Sequence, residues 1–430
     1  MRETGIMKTR IYNARILTME EGKEIFEGEI HIEGDTIIYV GEAKETDIIF
    51  DKEINANRNL IMPGFKNAHT HSAMTFLRSH ADDMQLQEWL NDMVFPNEAK
   101  LTEDDIYWFN KLAVMEYLTG GTTAGFDMYL SKPAMKRTVE DTGFRFVICE
   151  SINDFGGTVE EVEEDYLRYS KDPDKLLSYQ LGFHAEYTTS KNLLEGIADL
   201  SKKYNIPVYT HCSETRREVE DCRNRTGMTP VAYLDSLGIF DNGGGIFHGV
   251  HLDDEDFEIL KKHNIFVVTN PASNLKLASG IAPIKRYLEE DIKVAVATDG
   301  PASNNCLDMF REMFLVTGLQ KAVCNDPEAV PAMEVLKMAT VNGAYAMGLD
   351  SCDVLAEGKK ADIIMIDLDQ PNMRPLQNIE KNIVYSGSKQ NVIMTMVAGK
   401  VLYDHGEFFI GSSKEEIYKE TEERARRILG

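Results

Sequence analysis

The sequence predicts an α/β chain: a (β/α)8 TIM-like barrel, with a small β-sandwich domain assembled from both termini. Three observations predict it. Eight short apolar, β-branched runs alternate with helical segments through the middle of the chain. Short strands punctuated by polar and glycine turns fill both ends, and neither end carries enough apolar pattern for a core alone. Histidine and acidic residues fall at the ends of the central runs, where a barrel gathers its reactive groups.

The first 60 residues read as strands at Thr9–Tyr12, Ala14–Thr18, Glu29–Ile32, Thr36–Val40 and Asp47–Phe50. The tail repeats the style at Ala361–Asp367, Val392–Val397 and Lys400–Tyr403, then closes with a charged helical segment, Lys414–Leu429. The expected divisions are 1–60 and 351–430 for the small β domain with its terminal helix, and 61–350 for the barrel. The barrel strands are expected at Leu60–Phe65, Thr122–Asp127, Arg145–Cys149, Tyr179–His184, Ile206–His211, Gly245–His248, Ile265–Thr269 and Lys293–Asp299. No low-complexity linker or short-period repeat interrupts them.

Composition narrows the function. Of 430 residues, 43% are hydrophobic and 27% charged, the balance of a soluble globular protein. The net charge of −25 repels phosphate backbones and anionic lipid, which argues against nucleic-acid or membrane-surface partners. No run approaches the roughly 20 apolar residues of a membrane span. The opening Met1–Met7 lacks the apolar centre of a signal peptide, and Met7 offers an alternative start. Six scattered cysteines without a Cys-x-x-Cys pair read as reduced thiols. A cytoplasmic location is the expectation, with a homo-oligomer compatible.

The chemistry lies at the strand ends. His69 and His71 sit in Asn-Ala-His-Thr-His after the first run, and a spacing of two places both imidazoles on one face of an extended chain. His211 closes the fifth run, His248 the sixth and Asp299 the eighth. One such histidine alone reads as a hydrogen-bonded structural residue. Five polar groups on one rim read as a metal site. His251 carries no such signal and is read as structural.

This ordered set, His-x-His, His, His and Asp, resembles the amidohydrolase superfamily. The stretches Pro63-Gly-Phe-Lys-Asn-Ala-His-Thr-His, Leu77-Arg-Ser-His-Ala-Asp-Asp, Ser273-Asn-Leu-Lys-Leu-Ala-Ser-Gly and Thr298-Asp-Gly-Pro-Ala-Ser-Asn-Asn resemble its branch of 5-methylthioadenosine/S-adenosylhomocysteine deaminases and triazine hydrolases. The resemblance runs over essentially the whole chain. It implies one divalent metal ion per subunit on His69, His71, His211 and Asp299. The fourth strand reads Gly182-Phe-His184-Ala, without the lysine that bridges two metals in some relatives. Nitrogen-rich ligation with one carboxylate suits zinc, with iron(II) the alternative.

Attack of water on an aromatic C–NH2 carbon also requires a proton on a ring nitrogen. Glu214, three residues beyond His211, matches the family's shuttle for that proton; on its own it reads as a carboxylate at a helix start. The expectation assigns His248 to orienting the attacking water and Asp299 to passing a second proton to departing ammonia. The nucleoside-deaminase branch implies three substrate contacts: Trp89 packing near the substrate, Glu98 accepting from a ribose diol, and His184 touching purine or sugar. Without the resemblance, Trp89 reads as core filler and Glu98 as a surface acid.

Relatives that take S-adenosylhomocysteine hold its carboxylate with arginines after the third strand. Phe146–Leu167 contains none, and its Glu150 and following acids would repel a carboxylate; Glu186 also stands where relatives carry proline. The expected reaction is hydrolytic deamination of an adenine nucleoside, with 5-methylthioadenosine or adenosine favoured over S-adenosylhomocysteine. The alternatives are an aminohydrolase or chlorohydrolase on guanine, a pterin or a triazine, and a non-catalytic barrel scaffold.

Overall fold

The computed structural model describes residues 6–80, 82–170 and 176–430. Most of the opening Met1–Met7 stretch, and Ala81 of the Leu77–Asp83 stretch, lie outside the described residues. Eight parallel strands follow one another in chain order: β1 (Phe65–Thr70), β2 (Thr122–Asp127), β3 (Arg145–Cys149), β4 (Leu177–Ala185), β5 (Val208–Cys212), β6 (Gly244–His248), β7 (Phe266–Thr269) and β8 (Val294–Val296). The ring closes just past β8. Thr298 N donates to Asn67 Oδ1 at 2.9 Å, Asn67 Nδ2 donates to Thr298 Oγ1 at 2.7 Å, and Asp299 N donates to His69 O at 3.1 Å.

Strand alternation sorts the apolar residues into layers. Val147, Cys149, Phe247, Val268, Ala295 and Ala297 point inward with Phe126 and Tyr209 and fill the barrel. Their neighbours Ile148, Ile246, Val267, Val294 and Val296 point outward beneath the helices. Capping boxes started by Thr158, Thr215 and Asp253 satisfy orphan helix N–H groups, each cap worth about 1 kcal/mol.

Both termini join one nine-stranded mixed sheet. Lys8–Ile16 pairs with Phe26–Glu33 and, in parallel, with Leu60–Pro63, which runs antiparallel to Ile363–Ile366. Val392–Val397 and Lys400–Asp404 extend that side. Alternation acts here too. Ile61, Ile363 and Met365 share a core with Ile30, Ile32 and Met396, whereas Leu60, Met62, Ile364 and Ile366 pack toward the barrel.

Four predicted strands differ. Leu60–Phe65 is not the first barrel strand; it divides at Gly64, its first part joining the terminal sheet while β1 begins at Phe65. A Cβ on Gly64 would stand 2.1 Å from Thr123 Cγ2, so the crossing between sheets admits only glycine. Thr9–Tyr12 and Ala14–Thr18 form a single strand, kinked where Asn13 takes a φ of 55°. Asp47–Phe50 is unpaired, with Ile49 87% exposed, and the strand there is Lys52–Asn55. Lys414–Leu429 is a helix as expected, and its Arg424 and Arg427 bond Asp105. Among the described residues no helix is long and apolar enough to cross a membrane.

Candidate active site

The barrel delivers the strand-end residues to one place. His69 lies in β1 and His71 just after it, with ring centroids 4.8 Å apart; His211 lies in β5 and is 4.8 Å from His69 and 5.4 Å from His71 by the same measure. His248 ends β6 and Asp299 follows β8. Both take left-handed backbone, at φ 75° and 61°. Non-glycine residues seldom adopt that conformation, and it gathers at functional sites because the surroundings must enforce it.

Hydrogen bonds orient the rings. His71 Nδ1 donates to Met128 O at 2.6 Å and His211 Nδ1 to His184 O at 2.7 Å, turning both Nε2 atoms inward to 3.3 Å from each other. His248 Nδ1 bonds Asn274 Oδ1 at 2.8 Å. Asp299 Oδ2 accepts from Ser273 Oγ at 2.6 Å and Ser303 Oγ at 2.9 Å, which leaves Oδ1 facing His69 Nε2 at 3.4 Å and His71 Nε2 at 3.3 Å.

The electrostatics call for a cation. Burial pushes His69 down to about 3, and burial with the neighbouring rings holds His211 well below the imidazole range. Burial also opposes a charge on His71, yet the Asp299 carboxylate outweighs it and raises that ring to about 9. Asp299, despite its burial, is held well below the carboxylate range by His69 and His71. Among the described residues neither ring nitrogen of fully buried His69 has a hydrogen-bond partner, so a lone pair there is free to bind a metal. Imidazole nitrogens with one carboxylate fit a divalent cation.

Glu214 enters from the turn after β5. The Glu218 carboxylate, missed by the sequence reading, accepts from Ser213 N at 2.6 Å and Glu214 N at 2.7 Å and so fixes that turn. Glu214 Oε1 then accepts from Ser279 Oγ at 3.1 Å, while Oε2 stands 3.7 Å from His248 Nε2. Burial pushes the Glu214 carboxyl upward. His248 is raised because Glu214 and Asp299 together outweigh its burial. Also missed were Ser273 and Ser303, although both lie inside stretches singled out as distinctive. Glu312 was missed too: it accepts from Ala272 N at 3.0 Å and Asn304 Nδ2 at 2.8 Å, tying the helix Pro271–Lys276, which carries Ser273, to the turn that carries Ser303. An acid inside an ordinary helix gives no signal of that kind.

A cavity of about 1020 Å³ opens over this floor. Trp89, Glu98 and His184 all line it. Trp89 is buried at the start of a π-helical turn, Trp89–Val94. Glu98 ends the next turn, its Oε1 buried and without a partner, and burial raises its carboxyl to about 7. The His184 ring lies 5.0 Å from that of His211 and bonds Thr188 Oγ1 through Nδ1 at 2.9 Å. His251 instead bonds Ser279 O at 2.7 Å and does not line this cavity.

The acidic loop after β3 behaves otherwise than expected. Glu150 lines the cavity but is neutralised there by Lys132 Nζ at 2.7 Å, with Tyr179 Oη at 2.5 Å and Ser151 N at 2.8 Å also donating. Arg168, one residue past the arginine-free stretch, is brought back to the cavity wall by the helix Val159–Tyr169. Glu186 pairs with Arg225, away from the cavity. The wall after β3 thus sets Lys132 and Arg168 among Glu150, Glu161, Glu164 and Asp165.

Known proteins resemble this chain over nearly its whole length. The model of the amidohydrolase family matches residues 60–402. A 5-methylthioadenosine/S-adenosylhomocysteine deaminase of Thermoanaerobacter pseudethanolicus is 37% identical, over 98% of this chain and 100% of its own. One of Desulforamulus reducens is 39% identical, over 98% and 99%. An adenosine deaminase of Xanthomonas campestris, crystallised with bound zinc, superposes with a TM-score of 0.92 at 28% identity over 99% of both chains. The chain belongs to the amidohydrolase family and is a hydrolase.

Proposed function

We propose that the protein hydrolytically deaminates an adenine nucleoside, a hydrolase acting on a C–N bond of a cyclic amidine. One observation carries this reading: the buried carboxylate oxygen Oε1 of Glu98, which makes no hydrogen bond of good geometry among the described residues, shares a cavity with Glu214, His248 and Asp299. A ribose diol supplies the donors Glu98 lacks, and a sugarless ring leaves that oxygen unpaired. The names of the deaminase relatives support the same reading.

His69, His71, His211 and Asp299 would hold the metal, one per subunit, with zinc favoured over iron. When bound, such an ion lowers the pKa of a water from about 15.7 to about 7. Glu214 takes a proton from the attacking water and hands it to the ring nitrogen N1, and burial, by pushing its carboxyl upward, makes it a better proton acceptor. His248 Nε2, aimed at Glu214 and Asp299, orients that water. Asp299 takes the second proton and passes it to the amine, so the C6–N bond breaks as C6=O forms and ammonia leaves. Trp89 and His184 wall the purine and sugar.

The 5′ side distinguishes substrates. 5-Methylthioadenosine and adenosine need no charged partner there. S-Adenosylhomocysteine gains support from Arg168 in the wall and from the neutralised Glu150. An ammonia-release screen over these three nucleosides, guanine, a pterin and a triazine tests the proposal. Turnover of at least one adenine nucleoside well above the sugarless rings is expected. Turnover confined to sugarless rings, or a folded metal-free chain that turns over nothing, overturns it.

A further inference from the structure

A second orphan faces the same part of the cavity. Tyr129 follows Met128, whose carbonyl receives His71 Nδ1, and it is only 7% exposed. It lines the cavity with Glu98, and its hydroxyl lies close enough to couple electrostatically with that carboxyl. The two groups stand within reach of each other, yet among the described residues neither Tyr129 Oη nor Glu98 Oε1 makes a hydrogen bond of good geometry. Two polar atoms left unsatisfied side by side in one cavity wall are uncommon in folded proteins, where buried polar groups are nearly always paired.

We infer that Tyr129 is a substrate-contact residue that reads the sugar hydroxyls together with Glu98, its phenol donating where the carboxylate can only accept. The inference rests on the nucleoside reading above. A vicinal diol brings two O–H donors and the lone pairs of two oxygens into the site. An ionised Glu98 satisfies the donors and none of the lone pairs. A phenol O–H beside it supplies the missing donor, and phenylalanine in its place would not. A sugar lacking these hydroxyls leaves both protein atoms stranded, and sites built to bond a substrate hydroxyl reject analogues without it strongly.

The test compares adenosine with 2′,3′-dideoxyadenosine on the metal-loaded enzyme and its Tyr129→Phe variant. Tyr129→Phe is expected to lower kcat/KM for adenosine about tenfold, mainly through KM, and to leave the dideoxy nucleoside and the metal content unchanged. Tyr129→His, which keeps an N–H donor, should recover part of the loss and serves if the phenylalanine variant does not fold. Equal losses on both nucleosides, or no loss on either, overturn the role of Tyr129. Failure of the unmodified enzyme to deaminate any adenine nucleoside is a different outcome, since it removes the nucleoside reading itself. Discrimination against the dideoxy sugar that disappears in Glu98→Gln but persists in Tyr129→Phe leaves Glu98 as sole reader and overturns the inference alone.

Discussion

The two ends of the barrel both bury charge, and they bury it differently. At the foot, Arg145 at the start of β3 grips Asp362 with two bonds, Nε at 2.8 Å and Nη2 at 3.0 Å, while Ala398 N adds a third at 2.8 Å. Fully buried Lys66 donates to Gly64 O at 2.8 Å and Thr123 Oγ1 at 2.9 Å. At the rim, His69, Glu98 and Tyr129 keep polar atoms without partners. The charges at the foot are matched within the chain. At the rim it is the gathering of such unmet atoms around one cavity that sets that end apart.

Four substitutions sharpen the contrast. His69→Ala has the largest effect, removing both metal and turnover, checked by metal analysis beside an ammonia assay. Glu214→Gln should lower kcat on the order of 10²–10⁴-fold with metal content near normal, because its carboxylate sits beside the cage and outside the donor set. Asp362→Ala, at the foot, leaves buried Arg145 uncompensated and should cost about 3–5 kcal/mol of stability. Its denaturation midpoint should fall while molecules that remain folded keep their kcat and KM. Equal damage to turnover would erase the distinction between the ends.

The smallest effect concerns pH. Burial raises the Glu98 carboxyl from an ordinary 4.5 to about 7 in the folded protein. The sign follows from linkage: the protonated form is favoured on folding, so this contribution is present in full below pH about 4.5 and fades as pH rises through about 7. Glu98→Gln should flatten the fall in stability of the ligand-free protein across that window. An unchanged slope in thermal melts would show that Glu98 titrates elsewhere.

The rim's principal groups were legible in the sequence for a geometric reason. A parallel barrel puts every strand end on one face, so His69, His71, His211, His248 and Asp299 could be gathered from strand positions alone. Tyr129, Ser273, Ser303 and Glu312 were not, since their roles arise where separate loops meet and no local pattern encodes the meeting. Leu60–Phe65 misled because an apolar run carries no mark of the sheet it will join, and a single glycine decides where it divides. Asp47–Phe50 misled because β-branched residues favour a strand only where an edge is free to pair. Arg168 escaped for want of one residue, since a helix returns a side chain to a wall that linear reading leaves behind.

The pairing of Leu60–Pro63 with Ile363–Ile366 bears on how the protein is born. The opening strands can pair with one another early, but the outer edge of Leu60–Pro63 must wait until synthesis is nearly over, with every barrel strand emerging in between. Contacts this distant along the chain make folding slow, and a polypeptide ending before residue 363 would emerge with that edge permanently unmatched.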